Sequence, residues 1–171
     1  MDVTLLDTNS LKIRGKHAGL VVNPSVKATG DAVLLLGEMA SDTSKVEGQR
    51  LVVEGAGEYE VSGVKISAFG EKSELAYEIT LDGLEIFLAN TKTLKKTHDA
   101  KRECQILILY ADSLSDQSLI TALSPSVVVL YGEKAQELAK GLGKDSSVSS
   151  EKKFSITADK LPEEMEVVVL G

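Results

Sequence analysis

The stretch LVVEGAGEYEVSGV at positions 51–64 decides the fold of this 171-residue chain. Two apolar-rich runs, 51–53 and 58–61, flank the turn Gly55-Ala56-Gly57, and Ser62-Gly63 leads into a third run at 64–69. Short runs of this kind, rich in β-branched and aromatic residues and separated by glycine, are typical of consecutive β-strands. The glycines do not form a nucleotide-binding loop, because no Gly-Lys-Ser/Thr follows them and they join strands instead of opening a helix. This part of the chain therefore predicts β-sheet.

Strand-sized runs continue on both sides of this stretch. They occupy residues 3–7, 11–14, 19–22, 32–36, 76–81, 84–88, 106–109, 127–130, 154–157 and 166–170. Asp82-Gly83 separates two of them and is a strong hairpin signal, because both residues of such a turn need positive φ. The spacing of apolar residues predicts helices at 115–123, capped by Ser113 or Ser115, and at 133–142. We therefore expect one α+β or α/β domain over residues 1–171, with helices packed on sheets.

Composition limits the class of function. The chain has 19 Lys+Arg and 26 Asp+Glu, which gives a net charge of −7. This acidic balance argues against a nucleic-acid or anionic-membrane surface, since phosphate binding is driven by basic residues. The single cysteine, Cys104, excludes an internal disulfide, suits a reducing compartment and is expected to be a small buried apolar residue. No apolar stretch approaches the roughly 20 residues of a membrane helix, so we expect a cytoplasmic protein that does not bind membranes.

Residues 51–64 resemble the Gly-x-Gly-Glu-Tyr-Glu-Val-x-Gly-Val stretch of the lactonase-like branch of the metallo-β-lactamase superfamily, a group of small bacterial zinc hydrolases. The opening strands, Asn23-Pro24, the Asp82-Gly83 hairpin and the LPEE sequence at 161–164 are also similar in order and spacing. The resemblance implies a shortened four-layer αββα sandwich, with the active cleft at the edge between its two sheets.

The metal motif of that family is missing from this chain. In the family's hydrolases a strand ends in His-x-His-x-Asp-His, which supplies most ligands of two metal ions, and three further ligands follow. By resemblance, the family's ligand positions are occupied here by Gly37, Met39, Ser41, Asp42, Asn90 and Tyr131. The histidine expected after Phe69-Gly70 also has no counterpart, and no shift of register restores one, because His17 and His98 are the only histidines. We therefore predict no catalytic metal and no cofactor.

Two functions follow from this inventory. The leading interpretation is a catalytically inactive binding or assembly subunit, with a protein partner or a second copy of itself. A homo-oligomer would use an exposed apolar edge such as residues 167–169. The alternative is a hydrolase of phosphoesters or lactones with a non-standard or partner-completed site, using Glu38, Asp42 or Glu58 as acid/base groups. Glu38, Asp42 and Asn90 are weak site candidates, which together would offer oxygen ligands to a hard cation such as Mg²⁺.

Two basic segments remain. Residues 91–103 contain five Lys or Arg residues and His98, and we expect a solvated, flexible loop. The alternative is a docking patch for an acidic partner or a phosphorylated ligand. His17 lies in the basic turn at 14–18, and we expect it to be solvated as well.

Overall fold

Two β-sheets packed face to face form the body of the molecule, in a computed structural model that describes residues 1–37, 40–71, 74–97, 103–143 and 150–171. The strands are β1 (Asp2–Asp7), β2 (Ser10–Arg14), β3 (Gly19–Val22), β4 (Ala28–Thr29), β5 (Ala32–Leu34), β6 (Val46–Glu47), β7 (Leu51–Val53), β8 (Gly57–Val61), β9 (Val64–Glu71), β10 (Glu74–Leu81), β11 (Leu84–Asn90), β12 (Ile106–Tyr110), β13 (Val127–Tyr131), β14 (Ser150–Glu151), β15 (Lys153–Ser155) and β16 (Glu166–Leu170). The helices are α1 (Thr91–Thr97), α2 (Gln117–Thr121) and α3 (Ala135–Gly141), with 3₁₀ turns at Thr43–Lys45 and Ala158–Lys160.

The larger sheet has eight strands in the order β14-β16-β13-β12-β11-β10-β9-β8, and the smaller has six in the order β15-β1-β2-β3-β5-β7. Strands β11, β12, β13 and β16 pair in parallel. Every residue of β12 and β13 is buried, because parallel strands at the centre of a sheet are covered on both faces. The continuous apolar runs at 106–109 and 127–130 follow from that double burial.

The apolar residues separate into layers by their alternation along each strand. In β3 and β5, Leu20 and Leu34 face the core between the two sheets, while Val21 and Val33 face the other side. Residues of all three helices cover the outer face of the larger sheet. The outer face of the smaller sheet is covered by Val46 and its neighbours on the two-stranded sheet β4/β6.

The predicted Asp82-Gly83 hairpin is present between β10 and β11. Asp82 has φ 53° and Gly83 has φ 79°, the paired positive values that this turn requires. Ser62 and Gly63 repeat the arrangement between β8 and β9, with φ 49° and 78°.

The helices depart from their predicted bounds. Both α2 and α3 are shorter than expected, and Asp116, not Ser113 or Ser115, caps α2, accepting a hydrogen bond of 2.9 Å from the Ser118 amide. None of the helices in the described residues is long and apolar enough to cross a bilayer.

The prediction of a flexible loop at 91–103 was wrong for its first half, which forms helix α1. The buried Leu94 packs this helix onto the sheet, and Lys92 and Lys96 both form ion pairs with Glu74, at the start of β10. Residues 98–102, including His98, lie outside the described part of the chain.

The apolar run at 167–169 was wrongly expected to be an exposed edge. Strand β16 lies between β14 and β13, so Val167, Val168 and Val169 are at most 9% exposed. The prediction for Cys104 was confirmed: the side chain is 8% exposed, and burial raises the pKa of its thiol to about 12. It is therefore a packing residue and remains protonated at neutral pH.

Candidate functional site

The carboxyl ends of the parallel strands form one edge of the larger sheet. The strand register places Asn90, Tyr110, Tyr131 and Leu170 side by side along this edge. In sheets with parallel strands, ligands bind outside such carboxyl ends. The edge contains two of the positions singled out from the sequence, Asn90 and Tyr131, and is therefore the candidate functional site.

Asn90 is buried at this edge and joins the two sheets. Its Nδ2 donates a hydrogen bond of 2.7 Å to the Leu36 carbonyl, in the segment after β5 of the facing sheet. Its Oδ1 accepts two further bonds of 2.7 Å, from the amide and the hydroxyl of Thr93. The side chain thus caps the start of α1, a position for which asparagine is strongly preferred. Both acceptor positions of the amide oxygen are occupied by this cap.

The backbone that leads to Gly37 is also hydrogen-bonded from other directions. The Leu36 amide donates to Asn23 Oδ1 at 2.8 Å. The buried Tyr77 hydroxyl donates to the Leu35 carbonyl at 2.6 Å and accepts from the Leu35 amide at 3.0 Å. Asn23, Tyr77 and Asn90 together therefore satisfy the backbone polar groups of Leu35 and Leu36, as buried groups require.

Two tyrosines fill the middle of the edge. Tyr131 is 0% exposed, and its ring centroid lies 5.1 Å from that of Tyr110 at an interplanar angle of 53°. The Tyr110 hydroxyl donates to Asn9 Oδ1 at 2.8 Å, in the turn between β1 and β2. Gly132 follows at φ 99°, and a Cβ there would come within 2.8 Å of the Tyr110 ring. The two rings and the β1–β2 turn therefore contact one another at the middle of the edge, and a cavity of about 360 Å³ lies beside them, lined by Thr8, Gly132 and Leu170 among others.

The Tyr131 hydroxyl has no hydrogen-bond partner among the described residues. Burial, with a smaller contribution from Tyr110, raises its pKa well above the usual value of 10.0. A metal-bound tyrosine must be a phenolate, and burial disfavours that charged form. At neutral pH, Tyr131 is therefore a neutral phenol packed in the core.

Asp42 lies on an exposed loop after β5 of the smaller sheet. Its carboxylate caps the 3₁₀ turn at Thr43–Lys45 and accepts bonds from the Ser44 amide at 3.1 Å and the Ser44 hydroxyl at 2.5 Å. The hydroxyl is the main reason that the pKa of Asp42 is lowered. Within the described residues, no hydrogen bond connects Asp42 with Asn90. The candidates Glu38 and Met39 lie outside the described part of the chain.

The remaining acid/base candidate, Glu58, lies on β8, at the far edge of the larger sheet. It is exposed and accepts a hydrogen bond of 2.6 Å from the Ser67 hydroxyl. Strand β8 is three strands from β11, a distance of about 14 Å at the usual strand spacing. Glu58 is therefore not part of the row that contains Asn90 and Tyr131.

The donor set at the edge does not fit a zinc centre. A catalytic zinc needs three protein ligands drawn from imidazoles, thiolates and carboxylates. In the part of the chain that the structure describes, no three His, Cys, Asp or Glu side chains are grouped to hold a metal ion. The side chains at the family's ligand positions on this edge are the Asn90 amide, whose oxygen already accepts two hydrogen bonds, and the neutral phenol of Tyr131.

The residues around the edge that sequence reasoning missed are polar and structural. Thr91 donates to the Asp112 carboxylate and lies 2.7 Å from the Ser113 hydroxyl, which ties the start of α1 to the loop after β12. The sequence signal for these contacts was the polar pair Asp112-Ser113, which closely follows the buried strand β12. The signal for Asn90 as a cap was the Asn-Thr-x-Thr sequence that begins α1.

Solved structures with the same architecture come from several hydrolases. A Thermotoga maritima protein, assigned as a zinc-dependent hydrolase of the metallo-β-lactamase superfamily, superposes with a TM-score of 0.75 at 17% identity over 99% of this chain and 98% of its own. A protein from Parabacteroides distasonis, assigned as a metal-dependent hydrolase, gives 0.61 at 15% identity over 99% and 93%. An isothiocyanate hydrolase from Delia radicum gut bacteria gives 0.58 at 11% identity over 92% and 100%.

No protein-family model and no curated protein sequence matches the chain. At identities below 20%, the structural likeness establishes the architecture and leaves the activity open. It confirms the fold that the sequence at 51–64 implied. The chain has the metallo-β-lactamase fold.

Proposed function

We propose that this chain is a catalytically inactive protein with the metallo-β-lactamase fold, which acts as a binding or assembly subunit. The observation that carries the proposal is the use of Asn90, at the position where the resemblance places a metal-bridging aspartate. Its three hydrogen bonds of 2.7 Å go to Leu36 and Thr93. Because both lone pairs of the amide oxygen are taken, Asn90 has no free acceptor for a cation.

The packing of the edge supports the same proposal. Hydrolysis by this fold's usual chemistry needs a metal-bound hydroxide with an open coordination position. Tyr131 is a neutral, fully buried side chain at one family ligand position, and Asp42 is committed to capping a 3₁₀ turn at another. Burial disfavours the phenolate that Tyr131 would need to bind a metal ion, and Asp42 would have to give up its hydrogen bonds to Ser44.

The assembly half of the proposal draws on the open edge of the larger sheet. Strand β8 is the last strand in that sheet, so the outer side of its backbone is open to a further strand. Glu58 and Glu60 are exposed on it. Pairing of two identical β8 strands would bring like charges together, so this edge favours a different protein over a second copy. Light scattering with size-exclusion chromatography gives the oligomeric state directly.

Equilibrium zinc binding tests the proposal. Purified protein is saturated with Zn²⁺ and dialysed, and its retained metal is measured with and without chelator. We expect no stoichiometric zinc. Cys104→Ser is the control, because it removes the only thiol and with it any adventitious binding there. One or two chelator-sensitive ions per chain, retained in Cys104→Ser, would overturn the proposal.

An activity screen separates it from the hydrolase alternative. Esterase, lactonase and phosphodiesterase substrates are tested with added Mn²⁺ or Mg²⁺, and we expect no turnover. Asp42→Asn is paired with Asp116→Asn, since both are exposed aspartates that cap a short helix and accept a bond from a serine amide. Turnover that Asp42→Asn abolishes and Asp116→Asn leaves intact would establish the alternative.

A further inference from the structure

A second concave surface lies at the opposite end of the smaller sheet. This basic groove has a volume of about 420 Å³ and is bordered by the turn between β2 and β3. Its cationic side chains are Lys12, Arg14 and Lys16, and His17 lies beside them. A local concentration of positive charge of this kind is notable in a chain whose net charge is −7.

The basic groove is separate from the candidate functional site. Asp31, which lines the groove, directly precedes β5, and Leu36, which is bound by Asn90, follows that strand. Five extended residues span about 16 Å. A ligand in the groove would therefore bind at the other end of the strand from the row of tyrosines.

The acid that lines the floor of the groove is already neutralised. The Asp31 carboxylate forms an ion pair with Arg50 and accepts bonds from the Gly19 amide at 2.9 Å and the Ser62 hydroxyl at 3.3 Å. The Arg50 guanidinium is the main reason that the pKa of Asp31 is lowered. Glu47 is the other acid in the lining, beside three Lys or Arg side chains. Outside the lining, Lys16 contributes to lowering the pKa of Asp159.

The basic side chains are placed for a ligand. Lys12 is half-buried, and its Nζ is held in place by a hydrogen bond of 2.8 Å to the Thr29 hydroxyl. Arg14 and Lys16 are exposed, and the described residues give neither side chain an ion pair of its own. The Asp82 carboxylate accepts a hydrogen bond from the backbone amide of Lys16, not from its ammonium group.

Four glycines line the groove: Gly15, Gly19, Gly30 and Gly48. At Gly30, between β4 and β5, a Cβ would come within 2.8 Å of a Val21 methyl and 3.1 Å of the Gly19 carbonyl. The close approach of β3 to Gly30 therefore requires glycine. Glycine at position 30 is therefore explained by the packing of the strands that border the groove.

We propose that the basic groove binds a small, multiply charged phosphorylated molecule. Arginine presents a planar fork that matches phosphate oxygens, and lysine adds point charge beside it. The volume falls in the range of small-molecule sites, and the concave shape favours a compact anion over an extended acidic chain. The proposal does not depend on whether the edge at Asn90 and Tyr131 is catalytically inactive.

Calorimetric titration with inorganic pyrophosphate at low ionic strength tests it. We expect saturable binding to one site per chain, weakened by added salt. The variant Arg14→Gln/Lys16→Gln should bind about tenfold more weakly, as the loss of two charged contacts implies. Lys65→Gln/Lys140→Gln is the matched control, with the same change of charge at exposed positions outside the groove, and should retain its affinity within about twofold.

Several outcomes would overturn the proposal. They are the absence of saturable pyrophosphate binding, and an equal loss of affinity in both double variants, which would indicate a general effect of charge. A hexaglutamate peptide and phosphatidylserine vesicles complete the design. If either binds the wild-type groove and pyrophosphate does not displace it, the ligand is a macromolecule or a membrane and not a small phosphorylated molecule.

Discussion

Removal of one buried oxygen atom from Tyr131 is expected to stabilise the protein. The Tyr131 hydroxyl is fully buried and has no hydrogen-bond partner among the described residues. Tyr131→Phe removes that oxygen and leaves the ring in its contact with Tyr110, so no large cavity forms. A buried polar group without a partner costs about 1–3 kcal/mol. We therefore expect a gain of about 1 kcal/mol, which in a domain of this size raises Tm by about 2–4 °C.

Tyr77 provides the matched control, because it is also 0% exposed but its hydroxyl is hydrogen-bonded. Tyr77→Phe removes the same atom and leaves the amide and carbonyl of Leu35 without their side-chain partner. We expect a loss of about 1–3 kcal/mol. Urea denaturation followed by circular dichroism measures both variants, and calorimetry gives the two Tm values.

The two variants are expected to change the stability of the protein in opposite directions. A loss of more than about 1 kcal/mol in Tyr131→Phe would mean that the hydroxyl has a strong partner in the folded protein. The edge of the sheet would then be a satisfied polar network, and the description of Tyr131 as an apolar filler would be refuted. A gain in both variants would refute the assignment of the Tyr77 hydrogen bonds as stabilising.

Three further substitutions test other parts of the fold. Asn90→Asp supplies the carboxylate of the family motif, but one of its oxygens would face the Leu36 carbonyl, to which Asn90 donates. Because both groups are acceptors, chemical denaturation should show that the free energy of unfolding falls by about 1–3 kcal/mol. Asp31 has a folded-state pKa below its usual 3.8, so its contribution to stability is present above that pH and is lost as the pH falls through the folded value. The difference in urea midpoint between wild type and Asp31→Asn should therefore be largest near neutral pH and narrow in acid, and a difference that grows in acid would contradict this. Gly83→Ala should lower the free energy of unfolding by about 1–2 kcal/mol, because Gly83 has φ 79° and a residue with a Cβ adopts that conformation only at a cost. An added Cβ meets nothing within 4 Å, so a steric clash does not contribute. At Gly55 an added Cβ also meets nothing within 4 Å, but φ is not positive, so Gly55→Ala should leave the free energy of unfolding unchanged. Equal losses in the two variants would show that the backbone conformation is not the cause.

Features that depend on neighbouring residues were predictable from the sequence. Asp82-Gly83 forms its turn because two adjacent residues adopt positive φ, a local property. The apolar runs at 106–109 and 127–130 became buried strands because their composition leaves no polar face for solvent. The stretch at 51–64 led to the correct architecture, which the structural neighbours share.

Features that depend on distant residues were not predictable. The charged segment after Asn90 has the composition of a solvated loop, yet its first half is helical. Leu94 packs on the larger sheet, and Lys92 and Lys96 reach Glu74, contacts that a local pattern does not reveal. The basic groove was likewise hidden, because β5 pairs with β3 and brings Asp31 beside the turn that carries Arg14. The absence of histidines at the family positions was visible from the sequence, whereas the hydrogen bond from Asn90 to Leu36 joins residues 54 positions apart and was not.

The segment at 150–155 belongs to both sheets, and this has a consequence for the order of assembly. Ser150–Glu151 pairs with β16 of the larger sheet, and Lys153–Ser155 pairs with β1 of the smaller one. The Ser155 hydroxyl donates to Asp2, 153 positions away along the chain. Strand β1 therefore gains its outer neighbour, β15, only after the chain between the two strands has been made. Until β15 is made, the outer edge of β1 is open to other chains.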